Sequence, residues 1–204
     1  MSTSTGAQIV VPFRGRSGKQ RLDAPAKERA ALALAMLGDV LTAAVATGRT
    51  LLVSGDPDAR RLAVELGAEL VDDPGGGQGP AIAAALVHVE PGPVLVVNAD
   101  VPCVVPHDLR TLAGAAELGA IGYVEAQDGT TNALALPDAS LFAPLYGGGS
   151  AARFRDHAKH EGVTAIACAI PNLSDDVDTV EDLRRTGLRA GPRTQAALGR
   201  VALP

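Results

Sequence analysis

Two acidic segments, far apart in the chain, contain residue types that bind divalent cations. The first starts with residues 93–98 (PVLVVN), the strongest apolar run of the chain, and continues into Ala99 and Asp100. An acidic residue just past a buried strand points into the crevice at the carboxyl edge of an α/β sheet, where its oxygen can bind a hard cation. Asp100 alone fits a turn or a helix cap as well, and the continuation into Val101 and Pro102 makes the segment more specific.

The second acidic segment reads SDDVDTVEDL and lies near the end of the chain. Thr179 and Asp182 have the spacing of a capping box at a helix start. That pair leaves Asp176 and Asp178 without a structural explanation, and a catalytic magnesium ion would need a second carboxylate opposite Asp100. Taken alone, the segment fits a helix cap as well as a metal site.

A cationic loop follows the first apolar run of the chain. Residues 8–13 (QIVVPF) predict a buried strand, and residues 14–21 (RGRSGKQR) combine two glycines with four basic side chains. Glycines let backbone N–H groups approach an anion, and the basic residues supply charge, so the loop fits a triphosphate site. Its spacing is neither that of a P-loop nor that of a dinucleotide fingerprint, and a solvated basic turn is the alternative.

The remaining pattern predicts the elements that position these segments. Further strands are expected at residues 50–54, 69–71, 120–125, 132–136 and 164–169, in addition to those at residues 8–13 and 93–98. Helices are expected at residues 25–46, 58–66, 80–88, 106–118, 151–161 and 180–188. Continuous apolar strands alternating with helices indicate an α/β fold with a mostly parallel sheet covered by helices on both faces. The shorter strands after residue 119 predict a small mixed β extension.

Length and composition are those of one globular domain. The chain has 204 residues, of which 47% are hydrophobic and 20% charged, and we predict a single domain at residues 8–188 with a C-terminal tail at 189–204. A net charge of −5 and an aromatic fraction of 2% argue against nucleic acid or an anionic membrane as partner. No membrane-length apolar run or leader pattern is present in the sequence, so we predict a cytoplasmic protein, with a homodimer left open.

In combination, the motifs resemble those of a known superfamily. The basic glycine loop, the ADVP run and DVDTVEDL are similar to the MobA-like nucleotidyltransferases of the GT-A fold type. Three further segments (VPF…GKQRL, GTTNAL and YGGGS) resemble the phospholactate or phosphoenolpyruvate guanylyltransferases of coenzyme F-420 biosynthesis. The resemblance covers about residues 8–188 and implies an enzyme that transfers GMP from GTP and releases pyrophosphate.

The resemblance also implies roles for individual residues around the phosphates. Asp100 and Asp178 would be catalytic ligands of Mg²⁺, and Lys19 would be a catalytic residue that holds the triphosphate. The other nucleotide-binding residues of the loop would be Arg16, Gly18 and Arg21.

Five more positions would bind the two substrates. Gln78 and Gly79 would lie near the nucleoside of GTP. Thr131, Gly147 and Ser150 would bind the acceptor, a phosphorylated three-carbon acid. Ser150 comes just before a predicted helix, where backbone N–H groups favour an anion, although serine is also a common helix N-cap.

Two other functions remain open on the sequence alone. Another nucleotidyltransferase of the same fold, such as a molybdopterin nucleotidyltransferase, would share the loop and both aspartates. A non-catalytic nucleotide-sensing domain is the second alternative, although such a domain would not need Lys19, Asp100 and Asp178 together.

Overall fold

The structure, a computed structural model, describes residues 6–15 and 25–199, apart from the side chain of Val180. The strands are β1 (Gln8–Pro12), β2 (Thr50–Val53), β3 (Glu69–Val71), β4 (Val94–Val97), β5 (Ile121–Glu125), β6 (Thr131–Leu136) and β7 (Ala165–Ala167). The helices are α1 (Ala26–Val45), α2 (Pro57–Leu66), α3 (Gln78–Leu86), α4 (Pro106–Glu117), α5 (Ser150–His160), α6 (Pro171–Ser174), α7 (Val180–Thr186) and α8 (Pro192–Leu198). A short 3₁₀ turn covers Ala139–Leu141.

The seven strands found among the described residues belong to one sheet in the order β3-β2-β1-β4-β6-β5-β7. Strand β6 is antiparallel to both of its neighbours, and the other pairings are parallel. The antiparallel register places Val97, the last residue of β4, opposite Ala133 near the start of β6. The predicted fold class, a mostly parallel sheet with a small mixed extension, is confirmed.

Helices cover both faces of the sheet because successive strand residues point to opposite sides. Ile9 and Leu95 pack in a cluster with residues of α1, α2 and α4. Val10 and Val96, their neighbours along β1 and β4, pack in a second cluster with α3 and α5. Strands that are buried on both faces explain the continuous apolar runs in the sequence.

Every predicted helix and strand is present, with its ends within two residues of the prediction, whereas the short helix α6 is not predicted. Helix α3 begins at Gln78, two residues before the predicted start at Pro80. Its N-cap residue is Gly77, whose φ of 110° favours glycine. Proline is tolerated within the first helical turn, where no intrahelical partner is required for its nitrogen. Pro25 is the N-cap residue of α1, close to the predicted start.

The end of the described chain packs on α1 through a buried carboxylate. Asp39, 5% exposed in α1, accepts hydrogen bonds from the backbone N–H groups of Arg193 and Thr194 at 3.1 and 2.8 Å. The side chain therefore caps α8, a helix that the sequence pattern did not predict. Among the described residues, no helix is both long and apolar enough to cross a membrane.

Candidate active site

A cleft opens at the carboxyl ends of β1 and β4, where an open α/β sheet places its ligands. Its lining comes from the loop after β1, one face of α1, the start of α3 and the two acidic segments; the residues are Pro12, Phe13, Arg14, Gly15, Ala33, Met36, Gln78, Asn98, Ala99, Asp100 and Asp178. Both aspartates that the sequence predicts as metal ligands therefore face the same cleft.

Three carboxylates lie close together here, and two of them line the cleft. Asp100, Asp176 and Asp178 each offer an oxygen, and these oxygens all lie within 4.8 Å of one another. Asp100 lies in the turn after β4, whereas the other two lie in the irregular segment between α6 and α7. The sequence motifs predict Asp100 and Asp178 as metal ligands and assign no role to Asp176. Its spacing of two residues from Asp178 was the available signal, since alternate residues of an extended chain point the same way.

Val177 fixes the segment that carries the second and third carboxylates. Its side chain is fully buried against Leu32 and Met36 of α1 and Leu183 of α7. Its backbone N–H donates to the carbonyl oxygen of Asp100 at 3.0 Å. Val177 therefore holds the backbone between Asp176 and Asp178 in two ways: its side chain packs on α1 and α7, and its N–H bonds to the turn after β4.

A capping box holds the other end of this segment, as the sequence predicts. The Thr179 hydroxyl accepts from the backbone N–H of Asp182, and the Asp182 carboxylate accepts from the backbone N–H groups of Asp178 and Thr179 at 3.1 and 2.9 Å. Burial opposes ionisation of Asp182, but the hydrogen bonds from Thr179 and from the Asp178 backbone outweigh it, so the pKa of this carboxyl lies below its ordinary value. The capping box thus fixes the backbone of Asp178, whose side chain lines the cleft.

Asp176 is the carboxylate whose ionisation the site opposes most clearly. Burial, followed by the charge of Asp100, raises its pKa to about 6, and Asp178 adds to the shift. A hydrogen bond from the Asn132 side chain acts in the opposite direction. Like charges at this separation repel, and a divalent cation would offset the repulsion.

The donor set fits a hard cation. Carboxylate oxygens suit Mg²⁺, Ca²⁺ or Mn²⁺, whereas a site for zinc or copper usually includes histidine or cysteine. The group of three consists of aspartates alone. These residues could therefore hold a divalent metal ion of the magnesium type.

The two residues predicted to lie near the nucleoside, Gln78 and Gly79, have different surroundings. Gln78 lines the cleft, and its side-chain N–H donates to the Asn98 side chain at 2.6 Å. Gly79 faces the loop after β6, where an added Cβ would lie 2.6 Å from Cβ of Pro144. Packing against Pro144 is a structural reason for glycine at this position, and nucleotide contact by Gly79 stays a prediction.

The predicted acceptor residues meet at the start of α5. The Ser150 hydroxyl donates to the Thr131 hydroxyl at 3.0 Å, and both residues are buried, at 0% and 2% exposure. Gly149 is the N-cap residue of α5, and Ser150 is the first residue of the helix, so Ser150 is not a plain N-cap. Gly147 has φ +105°, a conformation that favours glycine.

The cationic loop is only partly described. Arg14 is exposed at the rim of the cleft, and Gly15 has φ 91°. The four loop residues predicted to bind the triphosphate lie outside the described residues; they are Arg16, Gly18, Lys19 and Arg21.

Solved structures show which class of protein has this fold. A putative nucleotide-diphospho-sugar transferase from Desulfovibrio desulfuricans G20 matches with TM-score 0.75 and 16% identity, over 95% of this chain and 94% of that one. A nucleotidyl transferase from Methanothermobacter matches with TM-score 0.65 and 17% identity, over 96% and 99% of the two chains. Glucosyl-3-phosphoglycerate synthase from Mycobacterium tuberculosis, solved with Mg²⁺ and uridine diphosphate, matches with TM-score 0.57 and 16% identity, over 80% and 68%. The chain thus has the GT-A-like fold of nucleotidyltransferases.

Sequence relatives narrow the class to one family. The family described as "Guanylyl transferase CofC like" matches residues 7–195. A phosphoenolpyruvate guanylyltransferase from Streptomyces scabiei is 37% identical over 96% of this chain and 97% of its own length. Another from Geodermatophilus obscurus is 36% identical over 90% and 86% of the two chains. The chain belongs to this guanylyltransferase family, as its motifs predict.

Proposed function

We propose that this protein transfers GMP from GTP to the phosphate of phosphoenolpyruvate or 2-phospho-L-lactate and releases pyrophosphate, as a step of coenzyme F-420 biosynthesis. The observation that carries the proposal is the close approach of Asp100, Asp176 and Asp178 to one another, within a chain of the guanylyltransferase family. The names of the relatives favour phosphoenolpyruvate as the acceptor.

The reaction is a displacement at the α-phosphorus of GTP. A phosphate oxygen of the acceptor forms a bond to this phosphorus, the bond to the oxygen that bridges to the β-phosphorus breaks, and pyrophosphate leaves with that oxygen. The acceptor phosphate is already ionised at neutral pH, so the reaction needs no strong general base. Alignment and charge neutralisation then supply the rate enhancement.

The three aspartates would hold the metal ion, and Mg²⁺ is the ion that we propose. It suits all-oxygen ligands and phosphate substrates, and one fold neighbour was solved with it. When bound, it would neutralise phosphate charge and hold the reacting groups in line. Asp176 belongs to the proposed ligand set together with Asp100 and Asp178 because its oxygen lies within the same 4.8 Å group.

The substrates would lie on either side of this metal site. On the nucleotide side, Gln78 and Gly79 would contact the nucleoside. The triphosphate would bind the cationic loop, through Arg16, Gly18, Lys19 and Arg21. On the acceptor side, we propose that Thr131, Gly147 and Ser150 bind the phosphorylated acid. This side is supported by the start of α5, where backbone N–H groups and a buried hydroxyl pair lie together.

Product analysis tests the reaction directly. The enzyme is incubated with Mg²⁺ and GTP, CTP or ATP, and with phosphoenolpyruvate, 2-phospho-L-lactate or 3-phosphoglycerate in turn. Mass spectrometry should find a GMP adduct of the acid and pyrophosphate with GTP. The proposal fails if GTP binds and no acid gives pyrophosphate release, a result that would favour a nucleotide-sensing domain. Turnover of a pterin with CTP or GTP and not of any acid would favour a molybdopterin nucleotidyltransferase.

Asp100→Asn tests the site. Removing one of the metal carboxylates should lower turnover by about 100-fold or more, since each ~1.4 kcal/mol of lost transition-state stabilisation is a factor of ten. Asp156→Asn, at a surface carboxylate whose side chain is 74% exposed, is the matched control and should retain parental turnover. Near-parental turnover of Asp100→Asn would remove the proposed site.

A further inference from the structure

Asp175 immediately precedes the metal-site carboxylates but has different partners. Its Oδ1 accepts a hydrogen bond from Nη1 of Arg185 at 3.0 Å, and its Oδ2 accepts from Nη2 of Arg189 at 2.5 Å. Gln127 also donates to Oδ1, at 3.4 Å. Two guanidinium groups neutralise this carboxylate, so they hold the start of the acidic segment in place from α7 and from the turn that follows it.

The end of the segment is held by Asp182. One oxygen of this carboxylate accepts from the backbone N–H groups of Asp178 and Thr179. The other oxygen accepts from Nη2 of Arg185 at 2.9 Å. A single guanidinium therefore joins the two carboxylates that fix the two ends of the segment 175–178.

The physical properties of arginine suit this bridge. The guanidinium is planar and presents several donors in a rigid fork, so it can bind two carboxylates in fixed relative positions. The side chains of Arg185, Asp175 and Asp182 are 35%, 17% and 25% exposed, so water screens their interaction only in part. Repulsion among the three metal-site carboxylates would otherwise move Asp176 and Asp178 away from Asp100.

From this bridge we infer that Arg185 is a positioning residue for the metal: acting through Asp175 and Asp182, it holds Asp176 and Asp178 at the separation from Asp100 that a divalent cation requires. The inference rests on the proposed function, because it presupposes that the three aspartates bind a cation. Groups that orient metal ligands typically change metal affinity by about 10- to 100-fold when they are removed.

The test measures Mn²⁺ binding to the nucleotide-free protein. Electron paramagnetic resonance detects the free ion, and the loss of its signal gives the amount bound. Arg185→Ala should weaken Mn²⁺ binding by about ten-fold or more. Arg155→Ala is the matched control, because Arg155 is also a helical arginine with an acidic neighbour, Asp156, and lies on α5. Its Mn²⁺ affinity should stay within about two-fold of the parent.

Two further variants separate positioning from general stability. Arg185→Lys keeps the charge but replaces the planar fork by one ammonium group, so its Mn²⁺ affinity should lie between those of parent and Arg185→Ala. Asp175→Asn removes the negative charge and one of the two acceptor oxygens, so it should also weaken Mn²⁺ binding. The effects of Asp175→Asn and Arg185→Ala should be less than additive in the double variant. In steady-state assays, Arg185→Ala should raise the apparent KM for Mg²⁺ by about ten-fold and leave kcat at saturating Mg²⁺ within about three-fold of the parent.

The outcomes distinguish this inference from the proposed function. If Asp178→Asn abolishes Mn²⁺ binding while Arg185→Ala and Asp175→Asn bind like Arg155→Ala, the metal site stands and the positioning role is wrong. If the parent binds no Mn²⁺, or Asp178→Asn binds it unchanged, both the metal site and the positioning role are overturned. If Arg185→Ala loses kcat and thermal stability with unchanged Mn²⁺ affinity, Arg185 is a structural residue only.

Discussion

The backbone N–H of Val177 donates to the carbonyl oxygen of Asp100 at 3.0 Å. This hydrogen bond joins the turn after β4 to the segment between α6 and α7. Asp176 and Asp178 flank Val177 in the chain, so the hydrogen bond holds both of them close to Asp100. This explains how carboxylates from two distant parts of the sequence lie together. The buried Val177 side chain then holds the same segment against α1.

Val177→Ala should therefore affect both stability and metal binding. Removing two methyl groups from a fully buried position should lower the free energy of unfolding by about 2 kcal/mol. If the aspartates bind Mg²⁺ as proposed, Mg²⁺ should stabilise the parent, and the loosened segment should weaken this effect. Urea denaturation with and without Mg²⁺ measures both effects. Val64→Ala, at a position 61% exposed on α2, is the control and should change stability by less than about 0.5 kcal/mol.

Neutralising Asp176 should stabilise the metal-free protein at pH 7. Burial and the neighbouring carboxylates raise the pKa of this group from 3.8 to about 6, so the folded state binds its proton more tightly than the unfolded state. The stabilising contribution of this proton is fully present below the unfolded pKa, and it is lost as the pH rises through the folded pKa. Asp176→Asn should thus be more stable than the parent at neutral pH, and the difference should shrink towards about pH 4.

Urea denaturation in a chelator, across about pH 4 to pH 7, measures this difference. If Asp176 is a ligand of Mg²⁺ as proposed, the same variant should also gain less stability from added Mg²⁺ than the parent does, because a ligand that binds only the folded state stabilises it more when it binds more tightly. Asp156→Asn, at an exposed site, should show neither effect. Equal stability of Asp176→Asn and parent at pH 7 would contradict the account of charge repulsion in the site.

Gly79→Ala and Gly114→Ala should have opposite effects on stability. A Cβ at Gly79 would lie 2.6 Å from Cβ of Pro144, whereas one at Gly114 would meet nothing within 4 Å. Gly79→Ala should therefore cost about 1–3 kcal/mol, and the displaced start of α3 should raise the KM for GTP through Gln78. Gly114→Ala, inside α4, should stabilise by up to about 1 kcal/mol. Two variants of equal stability would show that the loop at Pro144 adapts to the extra methyl group.

Ser150→Ala tests the proposed acceptor site. If the hydroxyl pair of Ser150 and Thr131 binds the phosphorylated acid, the variant should raise the KM for phosphoenolpyruvate by about 10- to 100-fold, the range for a lost hydrogen bond to a charged group. The KM for GTP should stay close to that of the parent. The converse result, lower stability with both KM values unchanged, would assign the Ser150–Thr131 hydrogen bond to the packing of α5 alone.

Much of the fold follows from local patterns. The apolar run at β4 predicts a strand that is buried on both faces, and Val94 and Leu95 do pack in opposite clusters. Thr179 and Asp182 form the predicted capping box because its hydrogen bonds join residues three apart. Helix α8 is not predicted from the sequence, because its first turn is capped by Asp39, a residue more than 150 positions earlier that no local pattern reveals.

For the site, too, the sequence predicts the candidate residues but not how they are grouped in space. The sequence by itself determined the family, the α/β architecture and the candidate aspartates, since these depend on residue type, periodicity and short motifs. Only the tertiary structure decided which aspartates lie together. It directs Asp175 to two arginines and brings Asp176 and Asp178 to Asp100. The physical reason is that a carboxylate becomes a metal ligand or an ion-pair partner according to which charges lie within a few ångströms of it, and chain folding sets those distances.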